Sequence, residues 1–337
     1  MAGAPDGGDA NAQEAGSVYG GPSGEPVVIA ASPVPIALVQ LAVGPSPPEN
    51  VATAVARIRD AASHGARIVV LPELFASQYF CQEENPAYFD LAEPLDGPTG
   101  RALAAAARAS RAAVVGSLFE RRAPGVYHNT LVVYASDGSL AGVYRKMHIP
   151  DDPRYYEKFY FTPGDLGFVA VRLSALTLGP LVCWDQWYPE AARLTALRGA
   201  ELLVYPSAIG WHPDEKAEHG AAQYDAWVTM HRAHAIANGV YVAAVNRVGL
   251  EHAEVVVGGS AAAPLRADGP GLEFWGGSFV ADPFGRMVAR ASHERPEIVY
   301  ATIDPSLVET TRRHWPFLRD RRVDAYGSLT ERYLDRT

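Results

Sequence analysis

Apolar and polar positions alternate in two rhythms along the chain, and these assign its elements. Largely apolar runs at 36–41, 67–71, 113–119 and 178–182 predict buried strands. Residues 50–63 carry Val51, Val55 and Ile58 at helical spacing, with Asn50 as the expected N-cap, and 100–110 is an alanine-rich helical stretch. Runs at 127–134 and 140–144 flank Ser136, Asp137 and Gly138, a hairpin signal. Further helices are expected at 189–198, closed by Gly199, and at 221–238, stopped by Asn238 and Gly239. Strands at 202–205, 240–245 and 298–303 and a second hairpin around 282–285 complete the pattern.

Crossovers and hairpins mixed in this order predict an α/β fold of mixed sheets with helices outside. Three segments depart from the rhythm. Residues 1–26, rich in Gly, Ala, Asp and Pro, read as a disordered extension. Residues 151–167 form a long aromatic loop, and long loops in globular units usually carry function. Residues 251–271 are rich in Gly, Ala and Pro and read as an inserted loop. From 304 onward the chain carries Arg312, Arg313, Arg319, Arg321 and Arg322 without core periodicity. The division is therefore an extension (1–26), one globular unit (27–304) and a tail (305–337) expected to dock on another subunit.

Composition narrows the possibilities only a little. The 337 residues are 48% hydrophobic, enough for a large core without covalent staples. Two cysteines cannot form a disulfide framework and suggest a reducing compartment, the cytoplasm. A net charge of −9 with no long basic run argues against nucleic acid, and no apolar run approaches a membrane span.

Candidate chemistry gathers where apolar runs stop. Cys183 follows such a run just before an expected helix start, where a nucleophile is well presented; the competing reading is a buried packing cysteine. Glu73 emerges from Ile-Val-Val-Leu-Pro at 68–72, and a part-buried glutamate makes a good general base. Lys146 leaves an apolar strand, where it is either a surface lysine or an oxyanion stabiliser. Glu157 lies among aromatics in the long loop, placed to pair with a lysine. His231 and His234 stand three apart on the long helix and read as packing residues, since no third metal ligand is in view. Serine-hydrolase, zincin, Walker and dinucleotide signatures do not occur.

Four stretches together resemble the nitrilase (carbon–nitrogen hydrolase) superfamily: Val-Leu-Pro-Glu-Leu-Phe at 70–75, Tyr-Arg-Lys-Met-His-Ile-Pro at 144–150, Glu-Lys-Phe-Tyr-Phe-Thr-Pro-Gly-Asp at 157–165 and Cys-Trp-Asp-Gln-Trp-Tyr-Pro-Glu at 183–190. Tyr-Phe-Cys-Gln at 79–82 and the Cys-Trp-Asp-Gln-Trp run are most similar to its N-carbamoylputrescine amidase branch. The resemblance implies a four-layer α-β-β-α sandwich with two mixed sheets, assembled as a dimer or higher homo-oligomer. It implies an amidohydrolase releasing putrescine, CO2 and ammonia from N-carbamoylputrescine, with no metal or organic cofactor. Cys183 would be the nucleophile, Glu73 the general base and acid, Lys146 the oxyanion stabiliser, and Glu157 the group that positions the lysine. Tyr79, Trp184, Ala208 and His212 would contact substrate. His212 stands where the branch has a glutamate, so β-ureidopropionase or another ω-amidase is the alternative enzyme. A catalytically silent binding protein is the alternative outside enzymes.

Overall fold

The computed structural model describes residues 32–253, 255–257, 260–262 and 270–334. In chain order, β1 (Val34–Gln40), α1 (Pro47–Ser63), β2 (Ile68–Val70), α2 (Pro98–Ser110) and β3 (Ala113–Ala123) form two crossover units. They run into an antiparallel meander of β4 (Val126–Tyr134) and β5 (Leu140–Arg145). The short helix α3 (Glu157–Tyr160) interrupts the long loop. A second set follows: β6 (Val171–Arg172), β7 (Thr177–Pro180), α4 (Pro189–Leu197), β8 (Leu202–Ser207), β9 (Gly210–Trp211), α5 (Lys216–Asn238) and β10 (Tyr241–Asn246). Then come β11 (Val248–Glu251), β12 (Val255–Val257), β13 (Ser260–Ala262), β14 (Leu272–Trp275), β15 (Phe279–Ala281), β16 (Met287–Arg290), β17 (Glu297–Ile303) and α6 (Pro305–His314).

Two six-stranded sheets result, ordered β17-β1-β2-β3-β4-β5 and β16-β15-β10-β8-β7-β6. Each has a parallel centre, β1-β2-β3 and β7-β8-β10, with antiparallel strands at its flanks. The side-chain period of two explains the layering. Ile36, Leu38, Val70 and Val115 share a core with Leu202, Val204 and Val242 of the second sheet. Their neighbours Ala37, Val39, Val69 and Val114 pack instead with Ala54, Ile58, Leu103 and Ala107 of α1 and α2. Both faces of the sheet are covered, which is why its central strands read as largely apolar runs rather than alternating ones. Ala191 and Ala196 of α4 and Trp227 and Ala235 of α5 cover the second sheet. The fold is the expected four-layer α-β-β-α sandwich with two mixed sheets.

Some expectations are corrected. Asn50 is not an N-cap: α1 starts at Pro47, and the buried Asn50 amide donates to Gly44 O and Ala76 O. α5 begins at Lys216 rather than 221, through a polar first turn that carries no apolar signal. The inserted loop contains the hairpin β12–β13, and β14 pairs with both β11 and β9. The tail does have a core-facing stretch, since α6 buries Val308 and Thr311 and Arg312 donates to Ala200 O and Asn238 O. Residues 315–334 carry exposed Trp315, Phe317, Leu329 and Tyr333. The extension expected at 1–26 lies outside the described residues. Among the described residues no helix is long and apolar enough to cross a membrane.

Candidate active site

The carboxyl ends of β2, β5, β7 and β8 converge, and each sends one residue of the cluster inward. Such ends collect sites because their chains turn outward there, freeing backbone groups. Glu73 follows β2, Lys146 follows β5, Cys183 follows β7, and Ala208 follows β8. Lys146 Nζ lies 2.8 Å from Glu73 Oε1 and 2.7 Å from Glu157 Oε2. All three side chains are essentially sealed from solvent. Glu73 also accepts from Asn129 Nδ2 at 2.6 Å and from the Ala208 backbone N–H at 2.8 Å. Every oxygen of that carboxylate has a donor, as a buried anion requires.

Burial would lower the Lys146 pKa, but Glu157 and Glu73 outweigh it and hold the ammonium well above its ordinary value. Burial, opposed by Lys146, pushes Glu157 up to about 7. One cation thus sits between two carboxylates, so the cluster is negative when all three are ionised. Burial first and Glu73 second push the Cys183 thiol up, while Lys146 pulls the other way. A thiol raised in this way needs a base to remove its proton before it can attack.

Cys183 opens a single 3₁₀ turn, Cys183–Trp187, with φ of 39°. That conformation costs a non-glycine residue on the order of 1–3 kcal/mol and persists only where surroundings enforce it. Asp185 supplies the enforcement. Its Oδ2 accepts from Val182 N at 3.0 Å and Tyr144 Oη at 2.8 Å. Its Oδ1 accepts from His148 N at 3.1 Å and lies 2.7 Å from His148 Nδ1. His148 in turn stacks on Tyr188 with ring centroids 3.7 Å apart.

Above the thiol lies a cavity of about 690 Å³, walled by Tyr155, Trp184, Trp187, Ala208 and Trp275 and reached by Glu157 and Cys183. His212, Asp152, Asp214 and Glu215 also line it. Of the expected substrate contacts, Trp184, Ala208 and His212 face this space. Tyr79 does not: it is fully buried, and its hydroxyl donates to Glu157 Oε1 at 2.7 Å. A thiol, a base within a buried ion cluster, and an ammonium beside them can together carry nucleophilic attack on a carbonyl.

His231 and His234 lie in the core under this site, with Nδ1 of His231 2.7 Å from Trp227 O and Nε2 of His234 2.7 Å from Gln186 O. Among the described residues no group of three or more His, Cys, Asp or Glu side chains is arranged to hold a metal ion. Sequence reasoning missed Asn129, Asp185, Arg247 and Glu251. Arg247 left a local trace, a charge directly after β10, one residue beyond its apolar run at 241–245.

Residues 35–313 match the carbon–nitrogen hydrolase family pattern. The chain is 40% identical to an N-carbamoylputrescine amidase of Oryza sativa subsp. japonica, covering 89% of this chain and 95% of the relative. It is 36% identical to a citrullinase of Francisella tularensis, covering 89% of this chain and 99% of the relative. A crystal structure of a carbon–nitrogen hydrolase from Helicobacter pylori G27 superposes with a TM-score of 0.84 at 46% identity, over 90% of this chain and 100% of that one.

Proposed function

The chain belongs to the carbon–nitrogen hydrolase family of the nitrilase superfamily, enzymes of carbamoyl and amide compounds, and on that premise we propose that it hydrolyses the ureido group of N-carbamoylputrescine. The observation that carries the reading is the Glu73–Lys146–Glu157 ion cluster beside Cys183, on a cavity bordered by acids. Glu73 removes the Cys183 proton, and the thiolate attacks the ureido carbonyl carbon. Lys146 and the Trp184 backbone N–H stabilise the oxyanion. Collapse breaks the C–N bond to the terminal nitrogen, and Glu73 returns the proton to departing ammonia. Water, deprotonated by Glu73, then cleaves the carbamoyl–sulfur bond and restores the thiol. The N-carboxyl amine loses CO2 and leaves putrescine.

Substrate choice rests on charge. Asp152, Asp214 and Glu215 border the cavity, and no lysine or arginine is among its described lining residues. That favours an alkylammonium tail over a carboxylate tail. His212, which becomes a cation when protonated and lies 3.7 Å from Asp214 Oδ2, favours the opposite choice, a carboxylate-bearing ureido or amide substrate. Comparing kcat/KM on N-carbamoylputrescine and N-carbamoyl-β-alanine separates them. Preference for the first supports the diamine reading, and no turnover of it sinks that reading. We also assign the enzyme to the cytoplasm, to polyamine formation and to a homo-oligomer. Exposed Leu194 and Leu197 on α4 and Trp315 and Phe317 after α6 support self-association, which light scattering after size-exclusion chromatography tests.

A further inference from the structure

Arg247 and Glu251 form a fully buried ion pair, with Arg247 Nη1 3.0 Å and 2.8 Å from the two Glu251 oxygens. A buried pair of this kind is weak evidence for stability, because apolar replacements often serve as well. This one reaches the site along two routes. The second guanidinium nitrogen, Nη2, donates to Glu73 O at 2.7 Å and Leu74 O at 2.9 Å, and Nη1 donates to Ser77 O at 3.2 Å. The guanidinium therefore gathers the carbonyls of the turn that carries Glu73. Leu74 within that turn has φ of 48°, a conformation that must be held. On the other route, Glu251 Oε2 accepts the Tyr79 backbone N–H at 2.7 Å, and the Tyr79 hydroxyl donates to Glu157. The guanidinium also lies over the Phe274 ring, 5.3 Å from its centroid.

We propose that Arg247 and Glu251 are positioning residues that set both carboxylates flanking Lys146, Glu73 through its backbone turn and Glu157 through Tyr79. Neither side chain lines the substrate cavity. The inference rests on the reading of Glu73 as the base for Cys183, so its test includes a readout that needs no known substrate.

Arg247→Met alone strands a buried carboxylate and can fail to fold. The informative variant is therefore Arg247→Met/Glu251→Gln. It contains no buried charge at this point, and the glutamine oxygen still accepts from Tyr79 N, but Glu73 O loses its Arg247 donor. Glu251→Gln alone keeps the guanidinium on the turn. The readouts are thermal midpoint, iodoacetamide alkylation of Cys183 at neutral pH followed by peptide mass spectrometry, and kcat and KM on N-carbamoylputrescine. A small displacement of a catalytic group is worth up to about a hundredfold in rate. The double variant is expected to melt above Glu251→Gln, whose buried guanidinium has lost its counter-ion, yet to alkylate Cys183 at least about tenfold more slowly than that variant, with kcat reduced and KM nearly unchanged. Alkylation and kcat that recover together with the thermal midpoint would overturn the proposal. Glu73→Gln in the otherwise unchanged protein separates the two ideas. If it leaves alkylation unchanged, the assignment of the base fails; if it slows alkylation while the double variant does not, only the positioning role fails.

Discussion

Asp185→Asn is the sharpest perturbation of the elbow that presents Cys183. In the native site four donors point at the Asp185 oxygens, two of them backbone N–H groups, Val182 N on Oδ2 and His148 N on Oδ1. An asparagine has one acceptor oxygen, and its amide must face one of those two N–H groups. The Tyr144 hydroxyl can rotate and His148 can change tautomer, but a backbone N–H cannot adapt. One buried donor is left unpaired in either orientation, at about 1–3 kcal/mol. The positive φ of Cys183 then loses part of what enforces it. For a domain larger than about 150 residues, each kcal/mol lowers the midpoint by roughly 2–4 °C. The expected result in differential scanning calorimetry is a midpoint lowered by about 2–12 °C. In steady-state assays kcat should fall at least about tenfold with KM little changed, because the thiol is displaced and the cavity is not. A midpoint and kcat both matching the unsubstituted protein would refute the claim that Asp185 holds the elbow.

The ion cluster gives three more expectations. Lys146→Met leaves two buried carboxylates facing each other, which should cost about 3–5 kcal/mol in denaturant unfolding and abolish turnover. Glu157, raised from 4.5 to about 7 by burial, binds a proton in the folded state where the unfolded chain does not. Its contribution to stability therefore falls as pH rises from about 4.5 to 7 and is flat above; Glu157→Gln should remove that slope from a series of unfolding curves. An acidic limb of kcat/KM near pH 7 should accompany the same titration. Tyr79→Phe removes a hydrogen bond that lowers the Glu157 pKa, so the limb should move to higher pH, and an unmoved limb would contradict the assignment.

How much of this was legible in the sequence depends on how far each contact reaches. Glu73, Lys146 and Cys183 stand where apolar runs end, a local signal, and the two buried faces of β2 and β3 made those runs visible. Glu157 was marked by the aromatic loop around it. Arg247 left a local trace in its place just after β10, but its role and that of Asn129 exist only through contacts across the fold: Arg247 meets Glu73 across 174 positions, and Asn129 meets it across 56. Asp185 stood only as one residue of the Cys-Trp-Asp-Gln-Trp run, since nothing local reveals that Tyr144 and His148 would close on it. Asn50 misled in the other direction. Its type fits an N-cap, yet Pro47 starts the helix a turn earlier and frees the side chain to tie two loops. Tyr79 sat in a matching motif and was expected to touch substrate, but the sequence could not tell a cavity wall from the layer behind it.

The central claim is that Cys183 forms a covalent bond to the carbonyl carbon of a ureido substrate. Rapid acid quench of the enzyme during turnover of N-carbamoylputrescine, followed by peptide mass spectrometry, tests it most directly. An N-(4-aminobutyl)carbamoyl adduct is expected on the peptide bearing Cys183, with no adduct on Cys81, and neither adduct nor turnover in Cys183→Ala. Turnover that persists in Cys183→Ala, or an adduct on another residue, would contradict it.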